Sequence, residues 1–109
     1  IVFIEDVGES PYRVDRMLTQ LLNSGKLAQA KGIALGVFNG CETKPDDPDF
    51  ALSTSLENVL KDRLGDLNVP VLYGLPIGHI DDNATLPCGI QAELDVEKAS
   101  LKLLESGVV

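Results

Sequence analysis

Hydrophobic positions fall along this chain in three patterns: short continuous runs, helical spacing and strict alternation. Ile1 to Ile4 is a continuous apolar run rich in β-branched residues. Such a run fits a strand buried on both faces, as in a parallel sheet. It ends at Glu5-Asp6 and passes into a loop at Gly8. Ser10-Pro11 reads as a helix start, an N-cap with proline at the first helical position. Val14, Met17, Leu18, Leu21 and Leu22 then recur at i, i+3, i+4, i+7 and i+8, one apolar stripe of an amphipathic helix. Gly25 stands where that helix should end. Ile33 to Phe38 is a second apolar run, bounded by Gly32 and by Asn39-Gly40.

A polar stretch from Glu42 to Asp49, holding Pro45 and Pro48, predicts an exposed loop. A second helix is expected from about Ser55 to Leu64, with Leu56, Val59, Leu60 and Leu64 on one face. Val69 to Leu75 is the third strand candidate. After Gly78-His79 and the polar loop Asp81-Asp82-Asn83, the period changes to two. Ile90, Ala92 and Leu94 alternate with polar neighbours, as do Ala99, Leu101 and Leu103. Two paired strands around a turn near Asp95 to Lys98 are predicted. The fold class is α/β, a mostly parallel sheet plus an antiparallel C-terminal section. No internal repeat or low-complexity segment interrupts it.

The 109 residues predict one domain, 1–109, with core enough to fold without metals or disulfides. A net charge of −8 argues against nucleic-acid and anionic-membrane partners, which need a basic surface. No apolar run approaches a membrane span. Cys41 and Cys88 lack metal-ligand spacing and read as reduced thiols of a cytoplasmic protein, and with one histidine a zinc site would need an unusual ligand set. The chain opens on a core-strand sequence without an initiator Met, which predicts a fragment or a processed chain.

Candidate chemistry follows from the topology. In open α/β sheets, ligands bind beyond the carboxyl ends of the strands. Glu5 closes the first strand and His79 the third, so parallel strands bring both to one edge. Histidine suits proton transfer near neutral pH, and a carboxylate on one ring nitrogen fixes its tautomer. Glu9 competes with Glu5 for that orienting role. Ser10, Ser24, Ser53, Ser55, Ser100 and Ser106 all fit caps, loops or surface positions better than a nucleophile. Cys88 could supply a thiol only with His79 beside it. A lone histidine is more often structural, and Glu5 could equally cap a turn.

The segment Ile4-Glu5-Asp6-Val7-Gly8-Glu9-Ser10-Pro11-Tyr12-Arg13-Val14-Asp15-Arg16-Met17-Leu18 resembles the opening of the C-terminal domain of bacterial LD-carboxypeptidases. These are the murein tetrapeptide carboxypeptidases and microcin-C-resistance amidases. The resemblance recurs at Gly32–Phe38, at Val69–His79 and at Ala84–Gly89, in family order. It implies a swivelling β/β/α-type fold and a Ser-Glu-His triad, with Glu5 as the acid and His79 as the base. The nucleophilic serine and the oxyanion hole would belong to an N-terminal domain absent from this chain. The implied reaction releases terminal D-alanine from a murein tetrapeptide, in the cytoplasm, during cell-wall recycling, and needs no metal or organic cofactor. The expected partners are the murein peptide, the N-terminal domain and a second copy in a homodimer. A peptide-nucleotide amidase conferring self-immunity and a non-catalytic binding domain are the alternatives. Glu9, Tyr12 and Arg13 are further candidates for substrate contact. Two features depart from the family: Cys88 stands where an aliphatic residue is common, as a small thiol filling a core slot would, and the Glu42–Asp49 loop is long.

Overall fold

The computed structural model describes residues 1–46 and 54–108. Strands β1 (Val2–Val7), β2 (Ile33–Asn39) and β3 (Val71–Gly78) form a parallel sheet in the order β1-β2-β3. Helix α1 (Pro11–Asn23) connects β1 to β2, and α2 (Leu56–Leu64) connects β2 to β3. Sequential order with parallel pairing and right-handed crossovers places both helices on one face. Both do feed one core. Val14 and Leu18 come from α1, and Leu56, Val59, Leu60 and Leu64 from α2. Ile33, Leu35 and Phe38 come from the central strand. Fully burying a leucine of this kind contributes about 1.5–3 kcal/mol, so this cluster dominates the stability. Arg63 of α2 bonds Asp15 of α1 at the partly exposed rim.

The helix termini follow local chemistry. Ser55 Oγ accepts the Asn58 N–H at 3.2 Å and caps α2. Ser10 occupies the N-cap of α1 as predicted, but its hydroxyl makes no capping bond; its carbonyl accepts the Arg13 and Val14 N–H groups, and Pro11 follows as the first helical residue. At the other end the Gly25 N–H bonds Leu22 O, as the sequence led us to expect. The predicted stripe on α1 is too wide by one residue. Met17 is exposed, because the core contact narrows to Val14 and Leu18 with Leu21 and Leu22 flanking.

The C-terminal section is the predicted antiparallel pair. Strands β4 (Ala92–Asp95) and β5 (Ser100–Leu103) align Ala92 with Leu103 and Asp95 with Ser100. Asp95 Oδ1 accepts the Lys98 N–H at 3.0 Å and closes the turn, which ends at Ala99. This hairpin faces the sheet across a cleft of about 570 Å³, lined among others by Phe3, Ala34, Pro87, Ile90 and Leu101. Cys88 also lines that cleft and is exposed, so it does not fill the core slot expected of it. Cys41 is the buried thiol, and both cysteines are free.

Two strands outrun their apolar sequences. β1 continues through Glu5 and Asp6 to Val7, since Asp6 and Val7 still pair with Phe38 and Asn39 of β2. β3 continues past Leu75 to Gly78, which pairs with Val37. Backbone pairing with a partner, not side-chain hydrophobicity, sets where a strand stops. Of the predicted acidic loop, residues 47–49 lie outside the described residues, as does Ser53. Glu42 accepts the Leu56 N–H at 3.3 Å and fastens the loop to the start of α2.

Candidate active site

Both registers shift at the middle of β2. Between Ile4 and Asp6, β1 advances two positions while β2 advances from Leu35 to Phe38. On the other side β2 advances from Leu35 to Val37 while β3 advances from Tyr73 to Gly78. The extra β3 residues bulge out of the ladder, and the Ile77 carbonyl folds over Gly36. A Cβ at position 36 would overlap that carbonyl and approach Glu5 Cβ to 3.0 Å. Only a residue without a side chain lets β1 and β3 approach each other across the central strand.

Through that gap Glu5 reaches the segment that follows β3. Its Oε2 lies 3.0 Å from His79 Nδ1. The carboxylate runs against Gly78, whose φ of 133° is open to glycine alone. A Cβ there would stand 2.8 Å from Val37 O and 2.9 Å from Glu5 Oε2. Two glycines, one in the central strand and one before the histidine, are therefore what allow acid and base to meet. The sequence marked Gly78 as part of a strand end and passed over Gly36. A glycine inside an apolar strand run was the signal for close backbone approach.

The pair is asymmetric. The Glu5 side chain is 23% exposed and that of His79 is 58% exposed. An ionised carboxylate only accepts, so a neutral His79 bonded to it carries its proton on Nδ1 and leaves Nε2 as the basic nitrogen. A protonated ring would keep the same bond as an ion pair. The arrangement can take a proton at Nε2 and hold the resulting charge against Glu5.

The other candidates fall elsewhere. Glu9 accepts from Arg13 Nη1 at 3.3 Å, so it serves α1 and not the imidazole. Arg13 also donates from Nε to Tyr12 Oη at 3.1 Å; that bond and then Glu9 raise its pKa and keep it charged. Glu9 and Arg13 border an open groove with Arg16, Met17 and Gln20. No serine described here bonds His79. Ser24 Oγ donates to Leu21 O, Ser55 caps α2 and Ser106 Oγ donates to Val108 O. Burial, the largest influence, pushes the Cys41 thiol up and keeps it protonated. Cys88 makes no hydrogen bond to the imidazole.

A parallel βαβαβ layer thus carries a hydrogen-bonded carboxylate–imidazole pair at its carboxyl edge. The chain belongs to the LD-carboxypeptidase C-terminal domain family, whose profile matches residues 1–94. A Synechocystis protein named as a carboxypeptidase is 53% identical over 104 residues, covering 95% of this chain and 33% of that protein. The murein tetrapeptide carboxypeptidase of Pseudomonas aeruginosa is 37% identical over 95 residues, covering 87% of this chain and 29% of its own length. The crystal structure of muramoyltetrapeptide carboxypeptidase from Oxalobacter formigenes superposes with a TM-score of 0.77 at 38% identity, covering 93% of this chain and 34% of that one. The chain thus spans about a third of the length of these relatives. No helix among the described residues is long and apolar enough to cross a membrane.

Proposed function

We propose that this chain is the acid–base portion of a serine-type LD-carboxypeptidase that releases terminal D-alanine from murein tetrapeptide. The Glu5 Oε2 to His79 Nδ1 contact of 3.0 Å carries the reading. His79 Nε2 takes the proton of a serine supplied by the remaining two-thirds of a relative-length protein, then returns it to the leaving amine. Glu5 fixes the tautomer and offsets the imidazolium charge. The acyl-enzyme so formed is hydrolysed by water activated at the same nitrogen. A cytoplasmic setting and a homodimer accompany this reading.

The test compares the chain alone with the chain joined to its nucleophile domain, using murein tetrapeptide. The chain alone is expected to be inactive. In the joined protein His79→Ala lowers kcat by about three orders of magnitude or more. Glu5→Gln costs more than Glu9→Gln. Near-normal kcat in His79→Ala, or the larger loss at Glu9, overturns the assignment, and turnover by the chain alone redirects the chemistry to Cys88.

A further inference from the structure

His79 is more than half exposed and follows a bulged strand, a poor setting for a group that must hold one orientation. Two side chains outside the pair grip the backbone on either side of it. Asn39, at the end of β2, donates from Nδ2 to the His79 carbonyl oxygen at 2.7 Å. Asn83, in the following loop, accepts the Gly78 N–H on Oδ1 at 2.9 Å. The backbone partners dictate both amide orientations, since a carbonyl can only accept and an N–H can only donate. The same loop is drawn back onto the β3 bulge by the Ala84 N–H to Pro76 O bond of 2.8 Å. Asn39 is itself held, its carbonyl accepting the Gly8 N–H at 2.8 Å. That bond ties the loop after β1, the strand that carries Glu5, to the asparagine that holds His79.

We infer that Asn39 and Asn83 are positioning residues that clamp the Gly78-His79 backbone and so fix the imidazole on Glu5. The inference rests on the Glu5–His79 pair proposed above and deepens it. The clamp uses opposite capacities of one side-chain type: Asn39 acts as a donor, Asn83 as an acceptor. Aspartate keeps the size of asparagine and its acceptor oxygens but has no N–H to give. The same Asn→Asp change must therefore break the clamp at position 39 and preserve it at position 83. A role in packing alone would make the two changes equivalent.

His79 is the only histidine, so imidazole ¹⁵N signals of the 109-residue chain report on it without assignment. At a pH where the ring is neutral, the wild type is expected to hold the Nδ1–H tautomer. Asn39→Asp and Asn39→Ala should lower the Nδ1–H to Nε2–H ratio by about fivefold, the worth of one lost hydrogen bond. Asn83→Ala should lower it similarly, and Asn83→Asp should restore it. Backbone amide spectra of each variant verify that the sheet is intact. Equal behaviour of Asn39→Asp and Asn83→Asp overturns the clamp. Glu5→Gln separates the two proposals. If it shifts the tautomer while the asparagine variants do not, the pair stands and the clamp falls. If it shifts nothing, the pair falls and takes the clamp with it.

Discussion

The βαβαβ layer and the β4–β5 hairpin are built on opposite economies. In the layer, α1, β2 and α2 supply one buried cluster against which Val2 and Ile4 of β1 and Val71 of β3 pack, and Ile33 and Ala34 of the central strand are fully buried. In the hairpin no residue is fully buried. Its apolar positions alternate with charged ones, and Leu103 stays 40% exposed. The layer owes its shape to long-range burial. The hairpin owes its shape to a turn and four paired positions. Glu5, Asn39 and His79 all stand on or beside the layer, where the scaffold can hold an angle.

Truncation separates the two regions most sharply. Leu35→Ala, inside the cluster, should cost about 2–5 kcal/mol and unfold the chain as a unit. Leu101→Ala, half-buried in β5, should cost less than about 1.5 kcal/mol and leave α1 and α2 intact. Urea denaturation with helix and hairpin probes measures both. Equal costs would mean that the hairpin is part of the same cooperative core.

The next effect acts where the layer meets the site. Gly36→Ala places a methyl group against the Ile77 carbonyl and should destabilise by about 1–3 kcal/mol as the β3 bulge is pushed away. The displaced bulge carries Gly78 and His79 with it, so the imidazole signal should lose its dependence on Glu5 in a protein that remains folded. A variant that is destabilised but keeps the Glu5-bonded tautomer would show that the glycine serves packing alone.

The approach of Gly36 to the Ile77 carbonyl belongs to what could not be read from the chain. The run Ile33–Phe38 and the stripe of Leu56, Val59, Leu60 and Leu64 announce a buried strand and a helix, because burial repeats with the period of the element. The alternation from Ile90 to Leu103 announces the hairpin for the same reason. Glu5 and His79 were legible as a pair because parallel strands bring their carboxyl ends together, and the family resemblance gave them roles. The strand ends were not legible. Asp6, Val7 and Gly78 pair through their backbones, which leave no trace in hydropathy. Met17 fits the helical period yet faces water, since the period says where a side chain points and not whether anything lies there. Asn39 and Asn83 read as loop residues; their bonds to His79 and Gly78 depend on a bulge that no local spacing encodes.

The smallest effect concerns the hairpin turn. The Lys98 backbone N–H, and after it the Lys98 side chain, hold the Asp95 carboxyl below the usual carboxylate range. A group whose folded pKa is depressed binds its proton less readily when folded than when unfolded. Its stabilising contribution is therefore fully present above the ordinary aspartate value of about 3.9 and fades as pH falls through the lowered folded value. The side chain of Lys98 is largely exposed, so salt screens its share and the backbone bond remains. Asparagine at position 95 can still accept the Lys98 N–H but does not titrate. The difference in hairpin amide exchange between wild type and Asp95→Asn should be greatest near pH 6 and shrink steadily toward about pH 2. The cluster beneath α1 and α2 should not register this titration, because it contains no charged side chain. A difference that stays constant with pH would show that the turn is held by shape, not by the carboxylate charge, and would bring the hairpin closer in character to the layer it faces.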